Sequence, residues 1–229
     1  MLLAAILALV VAPPDTVWVR AVRYPPAILR PSDSAGWGSP QIRIRTGQGS
    51  ASVWLLAVAE SVYVVALLPD TTGHWSDEFR VSLDTEGDRA AAPQHDDFQW
   101  SFRRILDSSV VYRGRAGRWD APQGDPDWRL GRARGGAGWS VAAGELQSDG
   151  WCVVLRLDRE WLELPGPGPG MAFRIYDDAP SGWFAWPAPP PGMQPVLVEQ
   201  EPALWNVVKP TGRADSSGAV PRGGPGTRP

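Results

Sequence analysis

The sequence is poor in cysteine and in net charge, and each shortage excludes a class of protein. Cys152 is the only cysteine among 229 residues, so no internal disulfide can form. Its apolar neighbours predict a buried, unreactive thiol on a strand, because burial disfavours the thiolate. The formal net charge is −3, without the basic excess that neutralises phosphates. The composition therefore argues against nucleic acid as a partner.

The chain also lacks an apolar run long enough to cross a membrane. The run from Leu2 to Ala12 is shorter than the roughly 20 residues that a spanning helix needs. Its length and the small residues near Ala12 are typical of a secretory signal, which predicts a signal peptide over 1–12 and a secreted or periplasmic protein. A buried first strand or a misassigned start is the alternative, because no Lys or Arg precedes the run.

An apolar stripe of helical period is missing, whereas glycine, proline and tryptophan are abundant. The sequence has 25 Gly, 24 Pro and 13 Trp. Gly and Pro destabilise helix interiors, and Trp favours strands. One short segment, 157–164, is a helical candidate. The composition predicts an all-β protein.

Segments of alternating apolar and polar residues recur between Gly- and Pro-containing turns. They predict one antiparallel two-sheet β-sandwich of the jelly-roll or immunoglobulin type over 17–208, followed by a disordered Pro- and Gly-rich tail at 209–229. Residues 116–138 read as a long loop. Segment 62–68 is apolar on both faces and predicts a central strand. The predicted strands are 17–23, 41–46, 53–58, 62–68, 78–84, 97–106, 108–115, 138–146, 150–162, 171–178, 181–187 and 195–200.

Four segments occur in a recognisable order within residues 41–187. They read SVYVVALLPDTTGHWSDEFRVSLDTEG, HDDFQWSF, GWCVVLRLDREWL and MAFRIYDD. Together they resemble the family 9 carbohydrate-binding modules, part of a DOMON-like group of β-sandwiches that includes haem-binding cytochrome domains. The resemblance implies a non-catalytic module that binds sugars between aromatic rings, with structural calcium in some members.

The resemblance assigns the candidate ligand-binding residues. Trp75 falls where the family places a sugar-stacking Trp, although a Trp at the start of a strand could equally pack on the core. Gln99 matches a family position, and Trp183 and Trp186 are the nearest candidates for a second ring. An indole offers a wide face on which a pyranose can stack.

Three positions depart from the family pattern. Arg80 and Val154 stand where the family has Glu, and Ser101 stands where it has Arg. Arg103, two residues further along the same strand face, is the candidate substitute for that Arg.

Five carboxylates flank a turn and the start of the next strand. Asp84, Glu86 and Asp88 surround Gly87, and Asp96 and Asp97 follow at the next strand. Calcium takes six to eight oxygen ligands, so these acids predict a structural Ca²⁺ site. The alternative is a solvated acidic loop, because Asp is favoured in turns.

The two histidines allow a different function. His74 or His95, with Met171 or Met193, could ligate a non-covalent haem, whereas the alternative places both histidines in surface loops. No G-x-S-x-G, H-E-x-x-H or phosphate-loop motif is present. Three hypotheses follow: a sugar-binding module, a b-type haem electron-transfer domain, or a sandwich without a sugar site that binds other protein domains.

Overall fold

The computed structural model describes residues 15–23, 25–26, 37–104, 108–121, 139–146, 150–162, 167–178 and 181–210. The predicted signal peptide, most of the predicted loop and residues 211–229 of the predicted tail lie outside these ranges. The strands are β1 (Thr16–Ala21), β2 (Ile42–Arg45), β3 (Ser50–Val58), β4 (Ser61–Pro69), β5 (Glu78–Asp84), β6 (Asp97–Arg103), β7 (Ser108–Arg115), β8 (Arg118–Asp120), β9 (Trp139–Leu146), β10 (Gly150–Asp158), β11 (Gly170–Asp178), β12 (Ser181–Trp186) and β13 (Asn206–Pro210).

These strands form two facing sheets, as an all-β sandwich requires. The first sheet has the order β8-β7-β6-β5-β11-β13-β1, with β12 sharing the β13 edge of β11. The second has the order β1-β3-β4-β10-β9, with β2 paired to β3 beside β1. The predicted fold class is confirmed. No described helix is both long and apolar enough to span a membrane.

Strand β1 belongs to both sheets and departs from the antiparallel prediction. Its first residues pair in parallel with β13, where Thr16 faces Val207. Its last residues, Arg20 and Ala21, pair in parallel with Leu56 and Ala57 of β3. Parallel neighbours need a long crossover, which here is the whole domain between the first and last strands. Periodicity within each strand carries no information about this pairing.

Three further predictions about elements are wrong. Segment 195–200 is a 3₁₀ helix that begins at Pro195, a residue without the N–H that a central strand needs. The predicted loop at 116–138 contains β8, and β13 extends past the predicted tail boundary at 209. The helical candidate at 157–164 is confirmed as a 3₁₀ turn, Arg159–Leu162.

The main core fills the space between the sheets with alternate residues of strands such as β3, β4, β5 and β10. In the first sheet, β5 contributes Phe79, whose ring stacks 6.3 Å from that of Phe102 and 5.8 Å from that of Phe173. Aliphatic side chains of the second sheet face these rings, because strict alternation in the sequence places every second side chain of a strand on the same face. The core members on the facing strands include Val53, Leu55, Val62, Val64, Val153 and Leu155.

The outer face of the second sheet is apolar as well. Trp54, Val65 and Cys152 form a second buried cluster there with Trp37 and Leu56. Strand β4 lies between β3 and β10, so the prediction of a central strand is confirmed. Burial raises the pKa of the Cys152 thiol to about 12, which confirms an inert core thiol. A polar binding face must therefore be sought on the first sheet.

Truncating Phe173 tests the core. Because its ring packs between those of Phe79 and Trp186, we expect Phe173→Ala to lower the free energy of unfolding by about 3–5 kcal/mol. Leu197→Ala, at an exposed apolar side chain, should change it by less than about 0.5 kcal/mol. Urea unfolding measures both, and equal losses would contradict this core.

Candidate functional site

The outer face of the first sheet carries polar side chains in cross-strand rungs. The register places Glu78 of β5 between Arg103 of β6 and Tyr176 of β11, and Tyr176 faces Trp183 of β12. The next rung is Ser101, Arg80, Arg174 and Ala185, and the third is Gln99, Ser82 and Ala172. These residues alternate with the core residues and so share one face.

A segment near the C-terminus covers part of this face. Residues 195–205, called here the cover segment, contain two 3₁₀ helices, Pro195–Gln200 and Pro202–Leu204. Val198 and Trp205 pack with Ala172 of the third rung, and the Trp205 ring stacks 6.3 Å from that of Trp119. The indole N–H of Trp205 donates to the Val198 carbonyl at 2.8 Å, which fixes the turn.

Four charged side chains join the cover segment to the sheet. Glu199 of the cover segment accepts from Nη1 of Arg174 at 2.6 Å and from Nη1 of Arg80 at 3.3 Å. Glu78 lies 3.1 Å from Nη2 of Arg174 and 2.9 Å from Nε of Arg80. Glu78, Arg174 and Glu199 are nearly fully buried, so each charge depends on its partners to offset the loss of water.

Glu78 is the ionised centre of this charged network. Burial would raise its pKa, but the guanidinium of Arg80, a hydrogen bond from Ser101 and the charge of Arg174 outweigh burial. The net effect holds the pKa of Glu78 below its ordinary value. The carboxylate is therefore charged at neutral pH and fixes both guanidinium groups on the sheet.

Two indoles remain exposed beyond the part of the face that the cover segment covers. Trp75 is 56 % exposed and Trp183 is 37 % exposed. The guanidinium of Arg174 lies 4.3 Å from the Trp183 ring centre, and the Tyr176 ring lies 4.4 Å from it on a tilted plane. These contacts hold Trp183 on the sheet while part of its surface faces solvent.

Contacts connect Trp75 to the same rung. Its ring lies 5.6 Å from that of His74, and Nδ1 of His74 lies 3.2 Å from a carboxylate oxygen of Asp178. Asp178 in turn accepts from the Tyr176 hydroxyl at 3.3 Å. Arg103, Tyr176 and Trp183 lie at one corner of the face, and Trp75 belongs to the loop connected to it; these four residues are called here the open end.

The structure separates the predicted ligand-binding residues into three groups. Trp75, Trp183 and Arg103 reach the open end. Gln99 is fully buried beneath the cover segment, where it donates to Glu199 at 3.1 Å and accepts from Arg80 at 3.0 Å. The Trp186 ring points to the opposite face and stacks 5.3 Å from that of Phe173.

Sequence reasoning missed Glu78, Arg174 and Glu199. The alternation of β5 and β11 places Glu78 and Arg174 on the polar face and could have flagged them. Glu199 gave no usable signal, because the prediction made its segment a strand rather than a cover.

An acidic cluster lies at the opposite end of the same strands. One carboxylate oxygen from each of Asp84, Asp88 and Asp96 lies within 4.8 Å of the others, and Asp97 follows directly. Asp96 is buried, yet neither of its carboxylate oxygens accepts a hydrogen bond within the described structure. Glu86, also predicted as a ligand, is exposed and outside this group. Unsatisfied buried oxygens of this kind suit a hard cation such as Ca²⁺.

The turn before this cluster fixes its first carboxylate. Asp84 accepts from the Gly87 amide at 2.6 Å and from the Arg89 amide at 3.1 Å. Gly87 has φ +67°, and a Cβ there would lie 2.3 Å from the Gly168 carbonyl oxygen, so glycine is required. Burial and neighbouring carboxylates raise the pKa of Asp84 to about 6 and that of Asp97 to about 8.

The two ends of the face are independent sites. Glu78 and Asp84 begin and end β5, and a seven-residue strand places them about 20 Å apart at the usual rise per residue. A cation at the acidic cluster therefore has no direct contact with a ligand at the open end.

The predicted haem ligands are not brought together. His74 precedes β5 at the open end, whereas His95 precedes β6 at the acidic end. Met171 is fully buried in the main core, and Met193 packs against the outer cluster of the cover segment. No described pair of these residues faces a common cavity that could hold a porphyrin.

Neutralising Glu78 tests the charged network. We expect Glu78→Gln to lower the free energy of unfolding by roughly 3–5 kcal/mol, because Arg174 and Arg80 lose a buried counter-charge. Adding Arg174→Met should recover part of this loss, since one uncompensated cation is removed. Denaturant unfolding of the two variants measures the coupling, and strictly additive losses would contradict it.

Comparison with known proteins supports the fold. No family model and no curated protein sequence matches the chain. A family 9 carbohydrate-binding module from Caldicellulosiruptor kristjanssonii in complex with cellotriose is similar, with a TM-score of 0.54, 20 % identity, and coverage of 89 % of this chain and 97 % of that one. A family 9 module from the same organism in complex with glucose gives a TM-score of 0.53 at 20 % identity, covering 88 % and 98 %. At this identity the likeness establishes a family 9-like sandwich fold.

Proposed function

We propose that the chain is a non-catalytic sugar-binding module whose site is the open end. The observation that carries this proposal is the pair of exposed indoles, Trp75 on the loop before β5 and Trp183 on the face that the cover segment leaves open. An exposed pair of rings above a polar floor is suited to a ligand with apolar C–H faces and hydroxyl edges.

The binding mechanism is stacking with hydrogen bonds, and no bond is broken. Trp183 is held from below by Arg174, so little rotamer entropy is lost when a ring stacks on it. Arg103 is exposed at 3.8 Å from Glu78 and keeps N–H donors for ligand hydroxyls. Gln99 and Arg80 orient the network and do not contact the ligand directly.

The structural neighbours support a proposal for the ligand class. The similar family 9 modules are in complex with cellotriose and with glucose. We therefore propose glucose and β-linked glucose oligosaccharides as the first ligands to measure. Export through the apolar run Leu2–Ala12 would place the module outside the cytoplasm, where polysaccharides occur.

A protein-binding role is the second candidate. It is favoured by the engagement of Gln99, Arg80 and Arg174 with Glu199, which leaves few free polar groups for a sugar. In that role Trp75 and Trp183 would anchor a partner domain, as exposed Trp residues often do.

We further propose that Asp84, Asp88, Asp96 and Asp97 hold a structural calcium ion. The cation would offset the mutual repulsion of the buried carboxylates and use the oxygens of Asp96 that accept no hydrogen bond. Its role is to fix the β5–β6 connection and not to contact the sugar.

Removing each indole tests sugar binding. We expect Trp75→Ala or Trp183→Ala to weaken cellotriose binding by about fivefold or more, because each stacking surface is worth on the order of 1 kcal/mol or more. Trp18→Ala is the matched control, since Trp18 is also 56 % exposed but lies on β1 beside β13. Isothermal titration calorimetry measures all three; wild-type protein that binds neither cellotriose nor glucose would overturn the proposal.

Calcium should change both stability and its pH dependence. Without metal, the raised pKa values of Asp84 and Asp97, about 6 and about 8, make the free energy of unfolding fall as pH rises from about 4 to about 8, since the folded state must release protons that the unfolded state has already lost. Saturating Ca²⁺ should stabilise by about 2.7 kcal/mol at a hundredfold excess over Kd and flatten this slope.

Asp96→Asn should abolish the calcium effect, whereas Glu86→Gln in the same loop should keep it. Thermal unfolding with calcium and with chelator compares the two variants with the wild type. An unchanged melting temperature of the wild type on adding calcium would rule out this site.

A further inference from the structure

The loop that presents Trp75 begins and ends with a buried aspartate. Asp70 follows β4 and is 4 % exposed, and Asp77 precedes β5 and is 2 % exposed. Between them the exposed Trp75 ring extends into solvent. Residues 70–77, called here the latch loop, therefore place the exposed Trp75 ring between two buried carboxyl groups.

Asp70 organises the first half of the latch loop. Its Oδ1 accepts from the Thr72 amide at 2.9 Å and from the Gly73 amide at 3.4 Å. Its Oδ2 accepts from Nη1 of Arg104 at 2.8 Å, which joins the loop to the end of β6. Gln48, from the β2–β3 turn, donates to the same Oδ1 at 3.0 Å.

Asp77 organises the second half and joins it to β11. Its Oδ2 accepts from the His74 amide at 2.6 Å, and its Oδ1 accepts from the Asp178 amide at 3.1 Å. Its own carbonyl accepts from the Arg104 amide at 3.3 Å. The position of the Trp75 backbone thus depends on both carboxyl groups.

The two buried carboxyl groups line one small cavity, where two negative charges side by side would be costly. Asp177 of β11 approaches from a third side, bridged to Asp70 by Gln48 at 3.0 Å, and the three acids line a cavity of about 10 Å³, near the size of one water. Among the described residues facing the pair, Arg104 supplies a fixed positive charge, and His74 and Asp178 lie on the solvent side.

We propose that Asp70 and Asp77 form a proton-operated latch, which holds the Trp75 loop most firmly when the pair shares one proton and so strengthens sugar binding under mildly acidic conditions. This inference rests on the proposed function and concerns its regulation. Loss of the shared proton turns a hydrogen bond into a repulsion between two buried carboxylates, which the loop relieves by loosening its amide contacts.

The direction of the pH effect follows from the placement of two carboxyl groups in one buried cavity: ionising both is unfavourable, so the pair is most stable while it keeps one proton. Burial, and next a hydrogen bond with Asp70, raise the pKa of Asp77 from 3.8 to about 6. The pKa of Asp70 is lowered, because hydrogen bonds with Asp77, Thr72 and Gln48 together outweigh the effect of burial. A carboxyl group with a raised folded pKa stabilises the fold at low pH, and the contribution is lost as pH rises through about 6.

The test is cellotriose and glucose binding by calorimetry at about pH 5 and about pH 7.5, in saturating calcium so that the acidic cluster does not titrate. We expect wild-type affinity to fall by about fivefold or more between the two pH values. Asp77→Asn and Asp70→Asn, each with a neutral amide in place of the shared proton, should show little pH dependence. His74→Gln should keep the wild-type ratio, whatever its absolute affinity.

If the affinity ratio between the two pH values falls to one in His74→Gln but persists in Asp77→Asn, the pH effect belongs to the histidine and the latch proposal is overturned. Pairing calorimetry with hydrogen exchange separates this failure from that of the proposed function. After correction for intrinsic rates, the amides of Thr72 and His74 should be more protected at the lower pH in the wild type, whether or not a sugar binds. Equal protection at both pH values would also overturn the latch, even if the asparagine variants fail to fold.

Discussion

The pairing of three buried charges with the half-buried Arg80 on the outer face of the first sheet governs the arrangement of the site. Glu78, Arg80 and Arg174 lie on adjacent strands and would be costly beneath a covering segment without mutual contacts. Glu199 completes the set from the cover segment at 2.6 Å from Arg174. Since these contacts fix where the cover segment lies, they also fix where the face stays open.

The charged network holds the Trp183 ring of the open end in place. Arg174 contacts Glu78 and Glu199 with its two terminal nitrogens and presents the face of its guanidinium to Trp183. Arg174 therefore contacts both the buried carboxylates and the partly exposed Trp183 ring. Trp75 instead lies on the loop between Asp70 and Asp77, whose carboxyl groups accept hydrogen bonds from Arg104 and from the His74 amide.

The strands separate this chemistry from the acidic cluster. Asp84 and Glu78 lie at opposite ends of β5, so a single strand supports both sites without direct contact between them. The common requirement is burial of carboxylates at strand ends, where turns supply backbone donors. At one end the neighbours are guanidinium groups and amides, and at the other they are mainly further carboxylates. The first arrangement suits a neutral ligand, and the second suits a cation.

By itself, the sequence determined the local structure. Alternation such as Phe79, Val81 and Leu83 assigned the core face of β5, and the two apolar faces of segment 62–68 identified a central strand, because side-chain period follows from backbone geometry. The cluster of Asp84, Asp88 and Asp96 was visible since its members are close in sequence. Only contacts between distant parts of the chain set the parallel pairing of β1, the position of Glu199 above Arg174, the burial of Gln99 and the packing of Trp186 against the core. These depend on contacts between residues far apart in the chain, for which local periodicity holds no information.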